Sequence, residues 1–173
     1  NTVDLSSDGR RVVTSSDDHT AQVWDAVTGQ PLGRPLVHNW PVRWAKISPN
    51  GFVVATLSKD WATRLWDARA GTLLTAPLLH PEGVATARFS PDGLRLVTAS
   101  GGTVHVWDAR NGLPLAEPFQ HVWWVNDAQF SPDGQWILTA LHWNPAKLVE
   151  IPCASHPIPS WLPDLAEAIA GQR

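Results

Sequence analysis

Residues 90–112 read SPDGLRLVTASGGTVHVWDARNG, and this stretch decides the fold. It opens on the turn Ser90-Pro91-Asp92-Gly93. A run rich in β-branched residues follows, and a second run closes on Trp107-Asp108 before Asn111-Gly112. The same wording recurs along the chain. Trp24-Asp25, Trp66-Asp67 and Trp107-Asp108 stand 42 and 41 residues apart. The turn returns as Ser6-Ser7-Asp8-Gly9, Ser48-Pro49-Asn50-Gly51 and Ser131-Pro132-Asp133-Gly134. His38, His80 and His121 keep the same spacing. Four registers therefore cover about residues 1–151. Self-similarity at this period marks a repeat architecture.

Each register reads as short strands. In the second, Val42 to Ser48 is an apolar run ending in a turn, and Phe52 to Ser58 is rich in β-branched residues. Thr63 to Asp67 is a third run and Thr72 to Leu79 a fourth. Pro77 lies in the fourth, as Pro35 and Pro118 do in theirs. Proline donates nothing to a strand ladder, so this strand belongs on the outer edge. Asn-Gly and Asp-Gly suit tight turns because both residues accept positive φ. Four antiparallel strands per 42 residues make one blade of a propeller. The expected architecture is all-β, with blades at about 1–38, 39–80, 81–121 and 122–151. Residues 152–173 form a Pro-rich tail that ends in a short helix over 163–170 and packs on the propeller.

On these Trp-Asp pairs, this period and the preceding histidines, the chain resembles the WD40-repeat β-propellers. The resemblance implies a buried, hydrogen-bonded set in each blade: a His before the first strand, a Ser on the second, an Asp in the next turn and a Trp on the third. His38, Ser58, Asp60 and Trp66 match all four positions. The first blade shows Ser16, Asp18 and Trp24, its His falling before residue 1. The third shows His80, Ser100 and Trp107, with Gly101-Gly102 in place of the Asp region. The fourth keeps His121 and its turn, but has Leu141, Trp143 and Val149 at the other positions. The wording also resembles regular bacterial WD40 arrays, which often follow a Ser/Thr kinase in signalling proteins. No Gly-rich phosphate loop or His-Arg-Asp loop is present. WD40 rings usually close with seven or eight blades, so four make about half a ring. The first blade reads as cut. Three closures follow: further upstream blades, a homodimer forming an eight-bladed ring, or closure of the four blades by themselves.

Composition narrows the function. The chain has 173 residues, 43% of them apolar, and a formal net charge of −3, so no basic field points to nucleic acid. No apolar run is long enough to span a membrane. Cys153 is the single cysteine, which excludes an internal disulfide and a multi-cysteine metal site. With no signal peptide in view, the expected location is cytoplasmic. There are 11 Trp and no Tyr or Met.

No catalytic, cofactor or metal set is expected. His38, His80 and His121 recur with the fold and fall on separate blades. His19, His105, His142 and His156 read as solitary. Trp24, Trp66 and Trp107 belong to the repeat and read as core. The informative tryptophans are those the repeat does not dictate. Trp40, Trp44, Trp123 and Trp124 cluster where one blade passes to the next, and Trp61 and Trp143 occupy second-to-third-strand turns. In WD40 proteins both loops open on one face, at the mouth of the central channel. With Arg43, Lys59 and Asn126 they have the composition of a binding hot spot. Trp44 and Trp136 also read as seam packing, and the loop tryptophans as channel filling. The expected role is a non-catalytic scaffold or sensor binding a protein partner on that face. Self-assembly of half-rings, or a small ligand or sugar stacked on Trp at the channel, stand as the alternatives.

Overall fold

The structure, a computed structural model, describes residues 1–151. The tail over 152–173, with its expected helix and Cys153, His156 and Trp161, lies outside the described residues. Fourteen strands run in chain order: β1 (Thr2–Leu5), β2 (Arg11–Ser15), β3 (Thr20–Asp25), β4 (Pro31–Val37), β5 (Val42–Ile47), β6 (Val53–Ser58), β7 (Thr63–Asp67), β8 (Val84–Phe89), β9 (Arg95–Ser100), β10 (Thr103–Asp108), β11 (Phe119–Gln120), β12 (Val125–Phe130), β13 (Trp136–Leu141) and β14 (Asn144–Glu150). They form four antiparallel sheets in simple order: β1-β2-β3-β4, β5-β6-β7, β8-β9-β10-β11 and β12-β13-β14. These are the four propeller blades.

The local chemistry repeats with the sequence. In the second blade the Ser48 hydroxyl donates to Asn50 Oδ1 at 2.8 Å and accepts from the Val53 amide at 2.9 Å. Gly51 then turns the chain at φ 75°. After β7, Asp67 Oδ1 accepts from the amides of Arg69 and Ala70 at 2.8 and 2.7 Å. These side chains satisfy turn amides that no strand partner reaches.

The fourth strand of the second blade departs from expectation. It is reduced to two bridges, Thr63 to Leu78 and Trp66 to Leu73. Leu78 is still buried. Its apolar side chain holds the segment, while Pro77 removes a donor from the ladder. In the first blade Pro35 is tolerated within β4, where the ladder shifts register between Ala21 and Val23.

Three apolar clusters fill the three seams between blades. Val13, Ala21, Val23 and Leu36 of the first blade meet Val42, Ala45, Ile47 and Val54 of the second. Ala55, Leu65 and Leu78 meet Ala87 and Leu96 across the next seam. Val97, Val104 and Val106 meet Ala128 and Ile137 across the last. The innermost strands β1 and β5 run together, as do β8 and β12, but β5 and β8 do not. Two sequence features set that middle seam apart. Trp44 stands where the register puts Thr2 and Thr86 in the first and third blades, and it packs into the seam cluster. Lys46 and Arg88 also occupy matching register positions in these two blades, so neither offers the other an acidic partner. At the flanking seams Lys46 instead pairs with Asp4 at 3.4 Å, and Arg88 with Asp127 at 2.9 Å.

No described residue covers the outer flank of the first blade. Val3 and Leu5 are 67% and 55% exposed. Ala45, Ala87 and Ala128, which match Val3 in register, are all buried under the preceding blade.

Candidate functional site

The expected His-Ser-Asp-Trp set exists in two separate parts. Trp66 Nε1 donates to Thr56 Oγ1 at 2.8 Å, and Thr56 Oγ1 lies 3.1 Å from His38 Nε2. A hydroxyl has one proton and two lone pairs, so Thr56 accepts from Trp66 and can still serve His38, as donor or acceptor according to the imidazole tautomer. Ser58 is not in this chain. It bonds to Asp60 instead, and Arg64 holds Asp60 Oδ2 at 2.6 Å. Thr56 is the side chain between the two aromatic groups, and the Arg64 guanidinium draws Ser58 and Asp60 away from them. The third blade repeats the first part through Thr98, 2.9 Å from both Trp107 Nε1 and His80 Nε2. There Ser100 donates to the Glu82 carbonyl at 2.8 Å. In the first blade Trp24 Nε1 reaches Thr14 at 2.9 Å, while Asp18, whose amide meets the Ser16 hydroxyl, binds Thr20. The fourth blade has no such tryptophan, so Thr139 donates to the Lys147 carbonyl and the His121 ring nitrogens have no hydrogen-bond partner among the described residues. The threonines were missed, although one precedes each of Ser16, Ser58 and Ser100 by two residues.

His105 is not solitary. Its ring stacks on Trp107 at 5.2 Å and meets His80 edge-on at 5.6 Å. Burial holds His38 and His80 down to about 4, helped by the charge of Arg64 at His38 and of His105 at His80. Burial resists ionisation of Asp60, but hydrogen bonds from Arg64 and Ser58 outweigh it and hold the carboxyl down to about 2. The unfolded chain takes up protons near pH 6.5 that the folded histidines refuse until about pH 4. Stability is therefore full above pH 6.5 and falls as pH drops through that window. Asp60 adds to the loss only below its unfolded value. Urea unfolding at pH 7 and pH 5 checks this: the midpoint is expected to be lower at pH 5, and an equal or higher one contradicts it.

The repeat-breaking tryptophans gather at one end of the blades. The connector into β5 lies against the turn after β6, with the Lys59 amide donating to the Pro41 carbonyl at 3.0 Å. Arg43 projects over the Trp61 ring at 5.2 Å, and Lys59 is 3.9 Å from Asp17. Trp40 is exposed on the same connector. At the same end of the fourth blade, the His142 amide donates to the Trp124 carbonyl at 2.8 Å. Asn126 Nδ2 lies 3.4 Å from His142 Nδ1, and His142 meets Trp143 edge-on at 4.8 Å. Trp123 and Trp124 are exposed, and Trp143 is 84% so. Trp44 does not join this group, because it packs in the middle seam. Trp136 is buried within β13.

Trp61 and Trp143 have φ of 64° and 66°. A bulky L-residue in the left-handed region is an outlier that costs energy. The third blade puts Gly101 at this turn, at φ 56°. Packing within the chain accounts for part of Trp61, whose ring lies under Arg43 and against Gly83, but for little of Trp143, which is 84% exposed. Among the described residues no group of three or more His, Cys, Asp or Glu is placed to hold a metal, and no helix is long and apolar enough to cross a membrane.

Comparison with known proteins agrees with the geometry. The crystal structure of the computationally designed Ika4 protein superposes with a TM-score of 0.71 at 25% identity, over 86% of this chain and 89% of that one. Altogether 1331 chains of solved structures match, so the architecture by itself does not define a role. No curated protein matches. The family model for the WD domain, G-beta repeat, matches residues 1–25, 73–108 and 113–144, more than half of the chain. With the four blades, the Trp-Asp turns and the Thr-bridged His–Trp pairs, this match establishes that the chain belongs to the WD40-repeat family.

Proposed function

We propose that this protein is a non-catalytic interaction scaffold that binds a protein partner through the tryptophan-bearing loops at one end of its blades. WD40 propellers are commonly interaction platforms, and the finer reading rests on one observation. Trp61 and Trp143 are held exposed in a backbone conformation that glycine adopts more easily. Trp61 is partly repaid by its contacts with Arg43 and Gly83, but Trp143 is kept at a local cost with little packing to repay it, which points to a use outside the chain. Exposed Trp beside Arg43 and Asn126 has the residue types of an interface hot spot, set on short loops of a stiff scaffold.

The double variant Trp61→Gly/Trp143→Gly tests this. Its thermal unfolding is expected to match the parent or rise by a few degrees, because strain is relieved. Peptides selected from a random library on the parent are expected to lose binding to the variant by about tenfold or more. Equal binding to both proteins contradicts the reading.

The uncovered flank supports a second reading, self-assembly. Val3 and Leu5 present a surface whose counterparts in the other blades lie under a neighbouring blade. A second copy offering its fourth blade meets that flank in the register of the existing seams, and two half-rings then close head to tail. Light scattering across a dilution series is expected to give a stable mass of twice 18.9 kDa. A stable mass of 18.9 kDa contradicts it.

A further inference from the structure

A seam joins the leading side of one blade to the trailing side of the blade before it. In the first seam the inner strand of the second blade is capped from the first. The Ala45 amide donates to Thr2 Oγ1 at 3.1 Å, and the Ile47 amide to Asp4 Oδ2 at 2.9 Å. Val3 and Leu5 hold the positions of Ala45 and Ile47 in the first blade. No side chain among the described residues caps their amides, and both side chains are exposed.

The turns show the same difference along the whole flank. A Cβ added at Gly51, Gly93 or Gly134 would meet Arg11, Asn50 or Arg95 of the preceding blade, whereas one at the matching Gly9 meets no described atom within 4 Å. A Cβ at Gly71 or Gly112 would meet Arg34 or Thr75, and one at the matching Gly29 again meets nothing within 4 Å. Strand, inner turn and outer turn of the first blade thus all present a leading side in the register of the existing seams.

The fourth blade carries the complementary trailing side. Leu138 and Leu148 pair with each other at the positions held by Val13 and Val23, Ala55 and Leu65, and Val97 and Val106. Those six are buried in the seams. Leu138 and Leu148 are partly exposed, and Ala140 is exposed. The capping position is also filled suitably. Gln129 stands where Asp4 stands in the first blade, is exposed, and has a side-chain carbonyl that accepts. The second and third blades have Lys46 and Arg88 there, which only donate and cannot cap an amide. Only the first and fourth blades, therefore, have an acceptor for the blade that follows.

We propose that the first blade's flank receives the fourth blade of a second copy, head to tail. Gln129 of one copy accepts from the Leu5 amide of the other, and Leu138 and Leu148 close over Val3 and Leu5. This rests on the self-assembly reading above and adds to it the residues and the direction of the joint. Two different surfaces meet, so each copy offers one of each.

Light scattering on variants tests it. Leu5→Arg breaks the leading side and Leu138→Arg the trailing side. Each is expected to give 18.9 kDa where the parent gives twice that, with the parent's far-ultraviolet spectrum. Their equimolar mixture is expected to regain the doubled mass at high concentration, because each variant keeps the side the other lacks. Gln129 is exposed, so its variants put no burden on folding. Gln129→Lys is expected to raise the dissociation constant about tenfold, because the Leu5 amide is buried uncapped, and Gln129→Glu to keep the parent's value. A mixture that stays at 18.9 kDa overturns the head-to-tail order. A dimer indifferent to Gln129→Lys and to both arginine variants overturns this joint and leaves self-assembly standing. A parent mass of 18.9 kDa overturns the second copy as occupant, and the self-assembly reading with it.

Discussion

Replacing Trp66 by alanine is expected to cost about 3–5 kcal/mol of stability, the range for emptying a large aromatic site in a core. Trp66 is only 5% exposed and sits in the seam cluster between the first two blades. Its ring lies 5.2 Å from the His38 ring, and its N–H is bonded to Thr56. The substitution opens a cavity bounded by two blades that are already fixed by their strand ladders, so little can collapse into it. Trp24→Ala is expected to cost less, because the open flank leaves Trp24 half-buried. Equilibrium urea unfolding reads both. A loss below about 1 kcal/mol for Trp66→Ala removes this residue from the core.

Thr56→Val is expected to be nearly as damaging, although it changes the side-chain volume very little. Thr56 is fully buried and serves two partners at once. Valine leaves the Trp66 N–H and the His38 ring nitrogen without partners in a dry seam. Each such buried group costs about 1–3 kcal/mol, which sums to roughly 2–6 kcal/mol. Thr98→Val in the third blade is expected to act in the same way through Trp107 and His80. Ser58→Ala is expected to cost less, because Arg64 retains Asp60 without it. If Thr56→Val costs less than Ser58→Ala, the threonine is not the link between His38 and Trp66.

The blades were legible because each repeat states its turns outright. Ser48 to Gly51 and Asp67 to Gly71 place side-chain acceptors and positive-φ glycine at fixed offsets, and the apolar runs between them have strand length. The buried polar set was legible by residue type but not by partner. Ser58 and Thr56 are both small hydroxyl residues two positions apart on one strand, and only the pairing of β6 with β7 shows which one reaches Trp66. Arg64 was invisible for the same reason, since it reaches Asp60 across the turn. The loop tryptophans were found because they break the repeat. Trp44 breaks it too, yet lies in a strand and fills a seam. Sequence period cannot tell those cases apart, because the packing between the second and third blades decides where the indole goes.

Hydrogen exchange at the indole nitrogens, followed by NMR, tests most directly whether scaffold and recognition tryptophans are distinct. The N–H groups of Trp24, Trp66 and Trp107, each bonded to a threonine, are expected to exchange slowly, near the rate of global unfolding. Those of Trp40, Trp61, Trp123, Trp124 and Trp143 are expected to exchange at the rate of a free indole. Slow exchange at the loop tryptophans contradicts the account: it means they are covered in the free protein, within the channel or against another copy, and are not an open face awaiting a partner.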